Sequence, residues 1–226
     1  ALCDWETTHF CGGSYIAPAH PCTPEARAAH QIWDEDVKGA PQLHDVLHTQ
    51  LAPQLREHVD KLAAYVAHNA PFDSSFLPML NKKPWLDTLR LAKKLFPGLP
   101  SYKNQALRYR FDLDHKDENL RLIGRHQLQA HRAESDAVVT AALLRYLLKQ
   151  PKVQEFETTT ALIDWVNEPF LIDTCPFPKH KGKLWLNVAK IDRDYCQWLL
   201  KGKEGEKPLD PDMQFSIRHA LKQVWG

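Results

Sequence analysis

Short apolar runs of strand length alternate with helical patterns along this chain, and that alternation restricts it to an α/β architecture, a sheet layered with helices. Residues 1–5 read as a short buried strand, Leu62–Ala67 as a mostly apolar run of strand length, and Trp85-Leu86 as another short strand. Thr23-Pro24-Glu25 opens a helix, because Thr is a good N-cap and Pro suits the first helical position. Further helices are expected over 43–58 with an interruption at Pro53, from Pro71 to about Leu80, over 88–96 with Asp87 as cap, near 103–110, and over 159–167. The clearest helix is 136–149, where Val138, Val139, Ala142, Leu143, Tyr146 and Leu147 fall at helical spacing. Residues 9–22, rich in Gly, Pro, Ser and His, read as loop.

Beyond Pro169 the texture changes to Pro176, Pro178, Gly182 and short strand-like pieces, with helices expected near 193–201 and 210–224. The expected organisation is a domain over 1–152, a linker with a short helix over 153–174, and a small α+β domain over 175–226. The 226 residues suffice for such a pair of cores. No apolar run approaches the length of a membrane span, and Ala1 begins no signal-peptide pattern. The five Cys are scattered without Cys-x-x-Cys, which argues against a disulfide framework or a structural zinc site. A reducing, cytoplasmic compartment is expected, with no membrane partner.

Charge is unevenly spread. Residues 1–80 carry 4 Lys+Arg against 10 Asp+Glu, and residues 81–110 carry 8 against 1. An acidic segment beside a basic one suits carboxylates that hold metal and cations that hold phosphate, and equally suits an ordinary solvated surface. The basic segment comprises Lys82, Lys83, Arg90, Lys93, Lys94, Lys103, Arg108 and Arg110, with Tyr102 and Tyr109 available for base stacking.

Acids recur in three distinctive settings. Asp4 and Glu6 lie two apart in Cys-Asp-Trp-Glu-Thr-Thr, so on a strand they share a face and can bridge hard cations. That spacing alone arises about once by chance in a chain of this length. Asp73 lies in the first turn of the helix after Pro71, where an acid also serves as a cap. It follows directly on a strand end, where open α/β sheets bind ligands. His131 and Asp136 are five apart, and on one helix they would face about 140° away from each other. His131 is therefore expected in the loop and Asp136 in the first helical turn, and an imidazole with a pKa of about 6.5 suits proton abstraction.

Together, Asp-x-Glu-Thr-Thr, Ala-His-Asn-Ala-x-Phe-Asp and His-Arg-Ala-x-x-Asp, in this order, resemble the three exonuclease motifs of the DEDDh, or DnaQ-like, 3′→5′ exonucleases. The stretches Tyr65–Leu80, Trp85–Leu107 and His131–Leu144, and the tail from Pro176 to Leu199, are similar to the exodeoxyribonuclease X branch. The resemblance implies a ribonuclease-H-like mixed sheet flanked by helices and a two-metal mechanism with Mg²⁺ or Mn²⁺. It implies that Asp4, Glu6, Asp73 and Asp136 hold two ions, that His131 is the general base, and that Thr7, Phe10, His68, Asn69 and Phe72 contact substrate. The implied substrate is a single-stranded or duplex DNA 3′ end in repair or proofreading, with RNA as the alternative.

The chain departs from the family pattern beside the first motif. The family's hairpin there has too little room, and about 18–20 residues are absent by ordinary hairpin dimensions. The strand bearing Asp4 and Glu6 is then an edge or nearly so, which leaves a catalytically weak nucleic-acid-binding protein as the second functional reading. Within the loop Thr8–Gly13, Phe10 fits a wedge at a 3′ terminus and fits a packing residue equally well.

Overall fold

The computed structural model describes residues 2–3, 10–47, 49, 62–80, 82–202 and 208–226, apart from the side chains of 2, 3, 10–12, 79 and 125. Its contacts divide the chain into two compact units, Ala1–Val166 and Asn167–Gly226. In the first, β1 (Leu2–Cys3) pairs antiparallel with β2 (Phe10–Gly12), Leu2 opposite Gly12 and Cys3 opposite Phe10. After α1 (Pro24–His30) and α2 (Leu43–Val46) comes β3 (Tyr65–Ala67), then α3 (Ala70–Phe76), then β4 (Trp85–Asp87). β4 runs parallel to β3 with Tyr65, Val66 and Ala67 opposite Trp85, Leu86 and Asp87. α4 (Thr88–Leu95), α5 (Asn104–Arg110), α6 (Leu113–Lys116), α7 (Glu118–Ile123), α8 (Ala133–Leu148), α9 (Pro151–Gln154) and α10 (Thr159–Asn167) complete this part.

The helix starts follow local chemistry. Thr23 accepts from the Ala26 amide at 3.2 Å with Pro24 behind it, and Asp117 accepts from the Leu120 amide at 3.0 Å to open α7. α3 ends at Phe76 and a short 3₁₀ turn, Pro78–Leu80, follows, because Pro78 has no N–H to continue the helix. α8 is the spine. Val139, Ala142, Leu143 and Leu147 are fully buried among Leu91, Leu107, Leu113 and Leu120. Each such aliphatic side chain contributes about 1.5–3 kcal/mol by leaving water.

Several expectations change. Phe10–Gly12, expected as loop, is a strand, because it pairs antiparallel with β1. Among the described residues the strands form one antiparallel and one parallel pair, where one mixed sheet was expected. Most of the helix expected over 43–58 lies outside the described residues. The stretch expected as a linker supplies Val153, Leu162, Ile163 and Val166 to the first unit's core, so the observed division falls after Val166.

The second unit packs α11 (Trp185–Ile191), α12 (Arg193–Lys201) and α13 (Pro211–Trp225) around Trp185, Val188, Ala189, Cys196, Met213 and Ile217. Among its described residues the strand content is one isolated bridge between Thr174 and Leu184, less than the α+β reading implied. Residues 185–191 form a helix because Trp185, Val188 and Ala189 present one buried face to that core. Among the described residues no helix is long and apolar enough to cross a membrane.

Candidate active site

The parallel strands β3 and β4 end side by side, and their register sets Asp87 opposite Ala67. Asp87 is 4% exposed, and its carboxylate collects four backbone amides. Oδ1 accepts from Asn69 (3.1 Å), Leu89 (2.8 Å) and Arg90 (3.4 Å), while Oδ2 accepts from Ala70 (3.2 Å). One carboxylate thus ties the start of α3 to the start of α4, satisfying donors that a helix leaves open. The expected cap of α4 is present, but the bonds to Asn69 and Ala70 were not foreseen. They orient the helix that carries Asp73.

Asp73 sits in the first turn of α3, half-buried. Burial pushes its carboxyl above the usual aspartate range, and the charge of Asp87 acts in the same direction. Among the described residues no cationic side chain pairs with Asp73.

Asp136 lies in the first turn of α8, one turn into a helix that begins at Ala133 and not at 136. Gln105 Nε2 donates to its Oδ1 at 2.8 Å. Its backbone carbonyl accepts from Asn104 Nδ2 at 3.2 Å and from the Thr140 hydroxyl at 2.8 Å. Gln105 is oriented in turn by Arg108, whose Nη1 donates to Gln105 Oε1 at 3.2 Å. Arg108 is 1% exposed and is fixed by Asp114 through Nε and Nη2, at 3.0 and 2.7 Å, and by the Leu128 carbonyl. A buried ion pair therefore holds an amide that holds Asp136 by one oxygen, and the other oxygen has no protein partner among the described residues.

Asp4, Glu6 and Thr7 lie outside the described residues. β1, which leads directly into them, packs against α8, the helix of Asp136. Phe10 stands in β2 opposite Cys3. Asp73 and Asp136 each offer an oxygen ligand of the kind that Mg²⁺ and Mn²⁺ prefer, so the donor chemistry fits a divalent ion. Among the described residues alone, no three acidic, His or Cys side chains converge on one point. His131 occupies the turn before α8 with φ 62°, exposed and off the helix, as its spacing from Asp136 required.

His68 corrects one expectation. Its Nε2 donates to the Tyr102 carbonyl at 2.7 Å, and Nδ1 lies 3.0 Å from the Thr88 hydroxyl. Burial pushes its pKa down, against the carbonyl bond and the charges of Asp87 and Asp136. The neutral ring has both nitrogens engaged inside the protein, so His68 positions the strand ends and its ring nitrogens are not available to substrate. Asn69 is exposed, in the left-handed conformation (φ 79°) that turns the chain from β3 into α3. Phe72 is 61% exposed and lies against exposed Phe76, ring centroids 5.0 Å apart, on the helix of Asp73. Phe76, which sequence reasoning passed over, extends the apolar contact that Phe72 offers.

The basic segment is only partly a surface. Arg108 is buried, Arg90 Nε donates to the Val166 carbonyl at 3.1 Å, and Lys94 donates to the Trp165 carbonyl over the Trp165 ring. These three cations hold structure. Tyr102 is also internal, its hydroxyl donating to the Phe96 carbonyl at 2.6 Å, whereas Tyr109 is 69% exposed. Lys82, Lys103 and Arg110 remain exposed.

The exonuclease family model, RNase T, matches residues 10–144, a span that includes Asp73, His131 and Asp136 and starts after Asp4 and Glu6. The chain is 30% identical over 209 residues to Exodeoxyribonuclease 10 of Escherichia coli (strain K12), covering 92% of this chain and 84% of that one. It is 30% identical over 164 residues to DNA polymerase III PolC-type of Listeria innocua serovar 6a, covering 69% of this chain and 10% of that much longer one. A solved structure, exonuclease X in complex with 5′ overhanging duplex DNA, superposes with a TM-score of 0.48 at 28% identity, over 67% of this chain and 78% of that one. With a family match over more than half its length and a relative aligned along nearly all of it, the chain belongs to the DnaQ-like exonuclease family and has its ribonuclease-H-like α/β fold.

Proposed function

We propose that this exonuclease is a 3′→5′ exodeoxyribonuclease that releases nucleoside 5′-monophosphates from DNA 3′ ends. Its family is divalent-metal dependent, and two Mg²⁺ or Mn²⁺ ions held by Asp4, Glu6, Asp136 and Asp73 would supply the charge that activates water and neutralises the leaving oxygen. The observation that carries the reading is the fixed carboxylate of Asp136. Gln105 and the buried Arg108 orient it at the start of α8, the helix against which β1 packs. DNA is favoured over RNA by Exodeoxyribonuclease 10, which aligns along most of both chains. The free Cys22, Cys175 and Cys196 accord with a reducing, cytoplasmic setting.

In this mechanism the chain's own groups divide the work. His131, exposed in the turn before α8, takes the proton of the attacking water as the water oxygen closes on the terminal phosphorus. The bond from phosphorus to the 3′ oxygen breaks, its electron pair stays on that oxygen, and the oxygen takes a proton from solvent water, leaving a 3′-hydroxyl on the shortened strand and a 5′-monophosphate as product. Phe72, with Phe76 behind it, offers a stacking surface for the terminal base, and Asn69 offers a polar contact at the strand end. Asp87 and His68 hold the strand ends and the start of α3 during turnover.

The test is incubation with 3′-labelled single-stranded DNA, with the matching duplex and with an RNA of the same sequence, in Mg²⁺ and in Mn²⁺. Mononucleotide release from DNA, stopped by EDTA, is expected. Absence of release with either metal refutes the enzyme reading and favours a nucleic-acid-binding protein; equal rates on RNA refute the preference for DNA.

A further inference from the structure

The second unit carries a ladder of stacked groups that no part of the active site uses. Lys179 Nζ lies over the Tyr195 ring, 4.8 Å from its centroid. Tyr195 stacks on Trp198, centroids 5.9 Å apart and planes 21° from parallel. Tyr195 and Trp198 are three residues apart on α12, hence on one side of it, and Trp198 is 49% exposed. Asp192 fixes the cationic end. Its Oδ2 lies 2.7 Å from Lys179 Nζ and 2.7 Å from His180 Nε2. Those two partners, Lys179 first, hold its carboxyl at about 2, so the pairing persists across the neutral range.

The turn before this ladder is built to present cations. Gly182 donates to the Cys175 carbonyl and Cys175 to the Lys183 carbonyl, both at 2.8 Å, and Gly182 takes φ 80°, a conformation that glycine adopts without strain. Backbone bonds thus hold the turn, and Lys179, Lys181 and Lys183 are all exposed, Lys179 while paired with Asp192. From 179 to 193 the chain carries Lys179, Lys181, Lys183, Lys190 and Arg193 against the single acid Asp192. Flat aromatic faces flanked by exposed cations suit a flexible polyanion whose bases can stack, and suit an acidic protein surface less well, because stacking offers such a surface nothing.

We propose that this unit is a single-stranded DNA-binding platform, with a base stacked on Trp198 and the adjoining phosphates held by Lys181 and Lys183. It rests on the reading of the enzyme as acting on DNA, and adds a contact made by residues other than those of the active site. Such a contact would retain the strand between successive cleavages.

The experiment uses the full chain. Binding of a fluorescein-labelled single-stranded oligonucleotide is measured in EDTA, where hydrolysis cannot interfere, for the wild type, Trp198→Ala and the double variant Lys181→Glu/Lys183→Glu. Hydrolysis of a chromogenic ester of thymidine 5′-monophosphate, too small to reach beyond the site of cleavage, is followed in Mn²⁺. The proposal expects affinity to fall about tenfold in Trp198→Ala, as for loss of one stacked base. In the lysine variant the dependence of log Kd on log salt should drop by about 1.4, the value for two single-strand phosphate contacts. Ester hydrolysis should stay within about twofold of wild type in both. The exposed lysines lie on a turn held by backbone bonds, so their variant reads the surface even if Trp198→Ala unfolds the unit. DNA affinity within twofold of wild type in the lysine variant overturns the proposal, and so does loss of self-association in either variant with DNA binding intact, which would make the face a protein contact. A wild type that binds DNA through these residues but hydrolyses neither substrate would refute the enzyme reading and leave the platform standing.

Discussion

Replacing Asp87 by Ala removes, in one step, the acceptor for the first amides of two helices. At α4 the loss is that of an N-cap, about 1 kcal/mol. At α3 the Ala70 amide is buried and loses its acceptor, which costs about 1–3 kcal/mol. Asn69 is exposed, so its amide can turn to water at little cost. The total is about 2–4 kcal/mol. At about 2–4 °C per kcal/mol for a chain of this size, the main thermal transition should fall by about 10 °C, read by calorimetry or circular dichroism. Asp87→Asn supplies one acceptor and one donor, so it serves one helix and opposes the other, and should fall between the two. Because α3 carries Asp73, either variant should need more Mg²⁺ for half-maximal hydrolysis. An Asp87→Ala protein that melts within about 2 °C of the wild type, with an unchanged Mg²⁺ requirement, would show that the carboxylate does not tie the two helices together.

Three other outcomes follow from the same contacts. Gln105→Leu deletes the donor to Asp136 while keeping the helix, and should lower kcat about tenfold with DNA affinity unchanged; unchanged kcat removes Gln105 from the site. His131→Ala should lower turnover by about 10²–10⁴; a full-rate variant excludes it as base. His68 is held neutral in the folded chain, with its pKa below the unfolded value, so the unfolded chain binds the extra proton and the folded one resists it. That stability is fully present above about pH 6.5 and is lost as pH falls through the lowered folded value. The urea midpoint should therefore decline more steeply below about pH 6.5 in the wild type than in His68→Gln, and equal slopes would contradict the assignment.

What the sequence disclosed and what it hid divide along the range of the interactions. Thr23-Pro24 and Asp87 are local start signals, and each opens a helix through a bond to an amide two or three residues away. The placement of His131 off the helix and Asp136 on it followed from a five-residue spacing and helical geometry alone. The second role of Asp87 was not legible, because its bonds to Asn69 and Ala70 depend on β4 pairing with β3. Gln105 is 31 residues from Asp136, and nothing in its own segment marks it as that residue's partner. The family resemblance implies that His68 contacts substrate; its turn inward is decided by Thr88 and by the Tyr102 carbonyl, 20 and 34 residues away. The helices at 113–116 and 118–123 were missed because each is shorter than two turns, too short for periodicity to register.

The claim on which the rest depends is that Asp136 serves hydrolysis as an ionised metal ligand and not as a helix-start acid. Asp136→Asn keeps the size of the side chain and an oxygen toward Gln105, and removes only the charge. Mononucleotide release from 3′-labelled single-stranded DNA in Mg²⁺ should fall by at least about 10³, at a melting temperature equal to or above that of the wild type and with DNA binding in EDTA retained. Release at more than about a tenth of the wild-type rate would contradict the account.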